Sequence, residues 1–210
     1  YAAMQQIMEH RPFNKVEEFL FHEEIVYGKL NKRALDVLVR SGALDCLMDK
    51  RFSGGKHFWS AVAVDRPRKE KNLLENIDKY VEEGDFSNEE KIEHLSSLTG
   101  VFPMDLVMDE HILRRLNENH IPPISEYDPE LLVTWFIPRK TTVRKTKNGK
   151  DYYIVEVIDS NSVQTSIKCW GVDPMRDRIY NNRPYMAKLS YDEQWGFSTR
   201  SIRHTFKLLA

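Results

Sequence analysis

The sequence predicts an α+β chain, all-helical up to His120 and built from strands after Pro129, on three observations. Apolar residues recur at a helical period in the first part and alternate in the last. Gly42 punctuates a stretch that reads as helix, tight turn, helix. Asn148-Gly149 sits between two alternating segments and is the strongest short hairpin signal a sequence can carry.

At the start of the chain Ala3, Met4, Ile7 and Met8 lie at helical spacing and stop at Arg11-Pro12, because proline disfavours helical geometry in the residue before it. Asn14 is the expected cap of the next helix, which carries Val16, Phe19 and Leu20 on one face. Asn31 caps a third, whose stripe is Leu35, Leu38 and Val39 and whose end is Gly42. Ala43-Leu44 then leads to Asp45, expected to cap a short helix with Leu47 and Met48. After the Ser53-Gly54-Gly55 turn, Phe58, Trp59 and Val62 mark a helix ending near Arg66-Pro67. Leu73, Leu74, Ile77 and Val81, then Ile92, Leu95 and Leu98, then Ile112, Leu113 and Leu116 mark further helices, punctuated by Gly84, Gly100 and Pro103. Ile121-Pro122-Pro123 to Asp128-Pro129 reads as a linker.

Strands are expected at Leu131–Thr146, Asp151–Asp159, Val163–Trp170, Tyr185–Tyr191 and Ser198–Leu209, with a turn or short helix at Pro174–Tyr180. Five strands with that interruption between the third and fourth are the pattern of a five-stranded OB-type β-barrel. An SH3-like barrel is the alternative.

A chain that is 41% hydrophobic has core material for one large domain or two small ones, which excludes disorder for most of its length. Cys46 and Cys169 are too few for a disulfide scaffold or a structural zinc site, which points to a reducing, cytoplasmic setting. No apolar run is long enough to span a membrane. Tyr1 is not an initiator methionine and the chain already reads as helical there, so it reads as a piece of a longer protein.

The net charge of −1 hides a partition: residues 1–69 carry +3, residues 70–138 carry −11 and residues 139–210 carry +7. Affinity for a polyanion depends on the field within a Debye length, so the basic last third is where a binding surface is expected. Arg139, Lys140, Arg144, Lys145, Lys147 and Lys150 succeed one another with no acid between them. Lysines guarding a hairpin edge give the same pattern.

Catalytic chemistry finds no support. Glu23-Glu24, Glu82-Glu83 and Glu89-Glu90 are neighbours on helix surfaces, where adjacent side chains do not face each other. His10, His22, His57, His94, His111, His120 and His204 show no metal-ligand spacing. There is no phosphate-binding glycine loop, nucleophile elbow or Cys-His arrangement.

Binding chemistry does. At the Ser41-Gly42-Ala43 corner, exposed amides at the start of a helix would receive a phosphate oxygen, with Arg40 flanking the turn and Lys32 and Arg33 one helix away. An ordinary glycine-capped hairpin has the same spacing. In the barrel, alternation puts Tyr153, Val155 and Val157 on one face of the second strand and Tyr152, Ile154, Glu156 and Ile158 on the other. On the third strand Val163, Thr165 and Ile167 turn inward, and Gln164, Ser166, Lys168 and Trp170 turn outward. Bases stacking on Tyr152 and Trp170 beside Lys168 and the basic hairpin fit single-strand binding, with Trp195 and Phe197 closing the groove. Packing of these aromatics against the helical region is the alternative.

The segment from Lys29 to Leu47, with its Asn31-Lys32-Arg33 start, Leu-rich helix and Gly42-Ala43-Leu44-Asp45 end, resembles the second helix-hairpin-helix of the bacterial DNA polymerase III alpha subunit, of the C family of DNA polymerases. Ala2–Phe19 is similar to the tail of that family's first such element. Leu98–Pro103 resembles the segment before its OB domain, and Asn148–Lys150 into Val155–Asp159 its strand-turn-strand with a closing Asp.

The resemblance implies a helix-hairpin-helix DNA-binding region over residues 1–70, an acidic helical connector over 71–129 and an OB-fold domain over 130–210. It implies DNA as partner, both duplex template-primer and single strand, together with replisome proteins. Magnesium is implied for the parent polymerase, whose metal-binding carboxylates are not in this stretch, and no cofactor for the fragment. The family's sliding-clamp motif is missing from Phe52–Leu98. The acidic stretch 70–138 suggests a divergent, viral version of the family or a protein partner there. Two other readings stay open: an OB-type RNA- or tRNA-binding protein with a helical appendage, and a protein-interaction scaffold.

Overall fold

The computed structural model describes residues 2–25, 28 and 30–209. Tyr1 and Lys29 lie outside them. The chain is mixed α+β and divides into two compact units, Tyr1–Phe102 and Pro103–Ala210.

The first unit contains α1 (Ala2–Glu9), α2 (Val16–Leu20), α3 (Lys32–Arg40), α4 (Gly55–Trp59), α5 (Glu70–Tyr80) and α6 (Asn88–Thr99). Helix α3 starts as expected: the Asn31 carboxamide oxygen accepts from Ala34 N at 3.0 Å. Asn14 does not cap α2. The helix begins after Lys15, and the Asn14 N–H is instead held by the Glu18 carboxylate at 2.8 Å. Helix α4 runs directly into a π-helical turn, Ser60–Val64, which leaves carbonyls out of register. The buried Asn76 amide donates to the Ala61 carbonyl within the turn and to the Asp65 carbonyl just after it. His57 is also fully buried, with Nδ1 accepting from Ser53 N at 2.9 Å and Nε2 donating to the Ile77 carbonyl at 2.8 Å. Around these groups Phe19, Leu35, Phe58, Val62, Leu73 and Ile77 form the core.

The second unit holds α7 (Glu110–Glu118), a short turn at Ile124–Glu126, and a curled sheet of seven strands: β1 (Val133–Lys145), β2 (Asp151–Ile158), β3 (Gln164–Trp170), β4 (Tyr185–Lys188), β5 (Ser190–Asp192), β6 (Gly196–Arg200) and β7 (Phe206–Leu208), with a one-turn helix α8 (Ile202–Thr205) before the last. The order across the sheet is β5-β6-β3-β2-β1-β4-β7. Strand β1 is long enough to serve two neighbours, pairing β4 through Val133–Phe136 and β2 through Ile137–Lys145, with a bulge between Pro138 and Lys140 where it turns the corner. Strands β3 and β6 pair in parallel; the others are antiparallel.

Seven strands stand where five were expected, because the last two are each broken. Leu189 drops into the core between β4 and β5, and Ser201 takes a left-handed conformation (φ 61°) between β6 and α8. The outermost pairs, β5–β6 and β4–β7, are thus two halves of one interrupted hairpin that turns at Glu193–Trp195. Pro174–Tyr180 contains a turn and no helix.

The connector expected over 71–129 is not a separate element. Leu73 and Ile77 of α5 belong to the first core, and Ile124, in the expected linker, belongs to the second. The Pro122 carbonyl accepts from Trp135 N at 3.0 Å and from the Thr134 hydroxyl at 2.8 Å, which holds the proline-rich stretch against β1. No helix among the described residues is long and apolar enough to cross a membrane.

Two buried carboxylates hold the loops of the second unit. Asp159 comes directly after β2 with no exposure, and its oxygens accept from Ser125 N (2.8 Å), Asn161 N (3.0 Å) and Val163 N (3.3 Å). Asp177 lies in the β3–β4 loop. Burial pushes its carboxyl up, but the Asp173 N–H at 2.7 Å and the Arg203 guanidinium at 2.5 Å outweigh that and hold it below the usual carboxylate range. A group lowered in the folded state gives stability that is complete above its unfolded value and is lost as pH falls through the folded one. Wild-type protein is therefore expected to lose more stability between about pH 6 and pH 3 than Asp177→Asn, as read from urea midpoints at the two pH values.

Candidate nucleic-acid interface

Strand register assembles a surface from residues far apart in the chain. Residues directly opposite in a ladder share a face. Arg144 of β1 stands opposite Tyr152 of β2, Tyr152 opposite Trp170 of β3, and Trp170 opposite Arg200 of β6. These four form one row across four strands. Thr142, Ile154, Lys168 and Ser198 form the row beside it, and Lys140, Glu156 and Ser166 the next. The face beneath carries Val155, Ile167, Tyr153 and Cys169, all buried in the core. Burial pushes the Cys169 thiol up to about 12, which removes it from thiolate chemistry.

At the centre of the first row Tyr152 and Trp170 stack, with ring centroids 4.6 Å apart and planes at 26°. Both are half-buried, and the arginines at the row's two ends are exposed. Lys168 reaches along the next row to Trp195: its Nζ lies 5.2 Å from the indole centroid and donates to the Trp195 carbonyl at 3.1 Å. Trp195, at the tip of the β5–β6 turn, is 64% exposed. Phe197 does not close this surface as expected. It stands opposite Ile167 on the core face and packs edge-on against Tyr127.

The basic hairpin is divided by the same register. Lys140 and Arg144 belong to the outer face. Lys145 does not: it stands opposite Asp151 and lies 3.6 Å from its carboxylate. Lys147 and Lys150 are exposed in the turn, where Gly149 (φ 73°) supplies the left-handed residue and Thr146 N donates to the Lys150 carbonyl at 2.8 Å. Arg200 escaped sequence reading, because its place depends on the parallel β3–β6 pairing.

The helical corner behaves differently from expectation. Gly42 N donates to the Val39 carbonyl and Ala43 N to the Leu38 carbonyl, both at 3.0 Å, with Gly42 at φ 76°. This is a Schellman motif, in which the amides after the helix satisfy its last carbonyls. Ser41 N likewise donates to Val37 O, and its hydroxyl to Leu38 O. The amides expected to receive a phosphate are therefore already engaged, and Asp45, whose carboxyl burial pushes up, sits beside Gly42. Beyond the corner the chain makes a single 3-10 turn, Asp45–Leu47, and no full second helix.

The cations near the corner are mostly engaged too. Arg40 makes a two-point contact with Asp36, at 2.9 and 2.5 Å. Burial pushes that carboxyl up, yet Arg40 and the Trp59 indole N–H hold it below its usual range. Lys32 donates to the Val64 carbonyl at 2.8 Å. Arg33 is exposed and enters no ion pair among the described residues. Set beside known proteins, the chain matches no protein-family model and no curated protein.

Proposed function

We propose that this chain is a non-catalytic, DNA-binding part of a replicative polymerase resembling the DNA polymerase III alpha subunit, and that its second unit is an OB-type barrel holding single-stranded DNA. The observation that carries the reading is the Arg144–Tyr152–Trp170–Arg200 row: a stacked aromatic pair between two exposed arginines on one sheet face. Flat rings accept any base, and cations spaced across neighbouring strands track the phosphates beside it. The barrel reading is supported by one strand shared between two neighbours, by the parallel pairing of β3 with β6, and by the interrupted hairpin that joins the sheet's two ends.

In the first unit the helix-hairpin-helix reading rests on the sequence resemblance of Lys29–Leu47. With its corner amides engaged, a contact with duplex backbone there falls to side chains, Arg33 first. Among the described residues no group of three His, Cys, Asp or Glu is placed to hold the magnesium implied for the parent enzyme.

The test is a salt series of fluorescence anisotropy titrations with a labelled oligo(dT). Lys140, Arg144, Lys168 and Arg200 each facing a phosphate would give a log–log slope of about −3 for a single strand. A slope near zero sinks the reading. A structured RNA that displaces the oligonucleotide at lower concentration than a primed DNA moves the assignment to the RNA-binding alternative.

A further inference from the structure

A groove of about 460 Å³ lies between helix α7 and the β4–β7 pair. Ile112, Leu116 and Ile121 line one side, Met186 and Leu208 the other. The groove-lining residues Ile112, Arg115 and Leu116 of α7, and Asn119 just after its end, fall at the spacing of a single helix face. Glu110 and Glu118, the acids of that helix, lie off this stripe. Arg115 and Lys207 stand at the groove exposed, and neither enters an ion pair among the described residues.

The position in the sheet adds direction. Strand β7 ends the strand order, so no strand among the described residues pairs with its outer edge, and Leu208 on it is 41% exposed. A lysine on an edge strand discourages unwanted pairing. Here it does so only for partners that bring no negative charge, because a second cation faces the same apolar trough.

We infer that this groove takes an extended segment of another protein, apolar at alternate positions and carrying carboxylates. The segment adds beside β7, which offers main-chain partners, and its alternate side chains enter the trough. Its carboxylates sit by Arg115 and Lys207. The inference goes beyond the nucleic-acid reading and stands without it, since none of these residues belongs to the Tyr152–Trp170 face.

A displayed random-peptide library panned on the whole chain tests it. Enrichment of acidic, alternately apolar peptides is expected. A labelled enriched peptide is expected to bind at least tenfold more weakly to Arg115→Glu and to Lys207→Glu, both exposed positions whose folding is checked by circular dichroism. Exchanging the peptide's acids for lysines is expected to restore binding to Lys207→Glu. Oligo(dT) is expected to leave peptide binding unchanged. Failure to enrich such peptides, or equal binding by both charge-reversal variants and the wild type, overturns the inference. So does a concentration-dependent dimer that Leu208→Asp abolishes, since a second copy would then occupy the groove.

Discussion

Alanine at both Tyr152 and Trp170 is expected to weaken oligo(dT) binding by about 100-fold, roughly 3 kcal/mol, since stacking on an aromatic contributes about 1–3 kcal/mol per base. The two rings already stack on each other, so the fold supplies a platform without ordering a mobile side chain at the moment of binding. Phenylalanine at both positions keeps flat faces and is expected to retain most of the affinity. Both rings are half-buried above an intact core of Tyr153, Val155, Ile167 and Cys169, so the double variant should keep its circular dichroism spectrum. A loss smaller than twofold in a folded double-alanine protein would assign the pair to packing alone.

The largest effect on stability is expected at Asp159. Alanine there leaves the N–H groups of Ser125, Asn161 and Val163 without their acceptor, at a cost of about 3 kcal/mol or more. Asparagine separates the contributions. Its single oxygen can keep the Asn161 and Val163 bonds, but its amide then points an N–H at that of Ser125, so an intermediate loss is expected. Urea midpoints of the three proteins are expected in the order wild type, Asn, Ala. Equal midpoints for wild type and Ala would mean that the loop does not depend on this carboxylate.

What the sequence made legible was local. The Asn31 cap, the Gly42 helix end, the Asn148-Gly149 turn and most of the alternation of β2 and β3 depend on neighbours a few residues away and are present; the alternation fails at the strand ends, where Val163, expected inward, is 43% exposed just before β3 and Ile158, expected outward, is buried. What was not legible depended on distant partners. Nothing near Ser201 announces a strand break: the residue is ordinary, and the break shows only in that the strand before it pairs with β3 and the strand after it with β4. The division of 71–129 between two cores was hidden for the same reason, since an amphipathic stripe shows that a helix buries a face without showing against what.

The candidate surface shows the same limit from the functional side. Types and alternation brought out Tyr152, Lys168 and Trp170, which the register does place on one face. The run of basic residues from Arg139 to Lys150 had to be sorted by the ladder, which sends Lys140 and Arg144 outward and pairs Lys145 with Asp151. At Gly42 the spacing was right and its meaning changed. A glycine that ends a helix and a glycine that frees amides for a ligand look identical in sequence, and only the hydrogen-bond accounting separates them.

The shared strand β1 has a kinetic consequence. Its second half can zip onto β2 as soon as the Asn148-Gly149 turn forms, while its first half must wait for Tyr185 to Lys188, about fifty residues further along the chain. Completing the sheet is therefore a late, long-range event, and such pairings slow folding because the chain must surrender loop entropy before gaining contacts. During that interval the half of β1 bearing Trp135 and Phe136 is an open, greasy edge on a nascent chain, which makes the earliest moments after synthesis the time when this molecule most needs protection from its own copies.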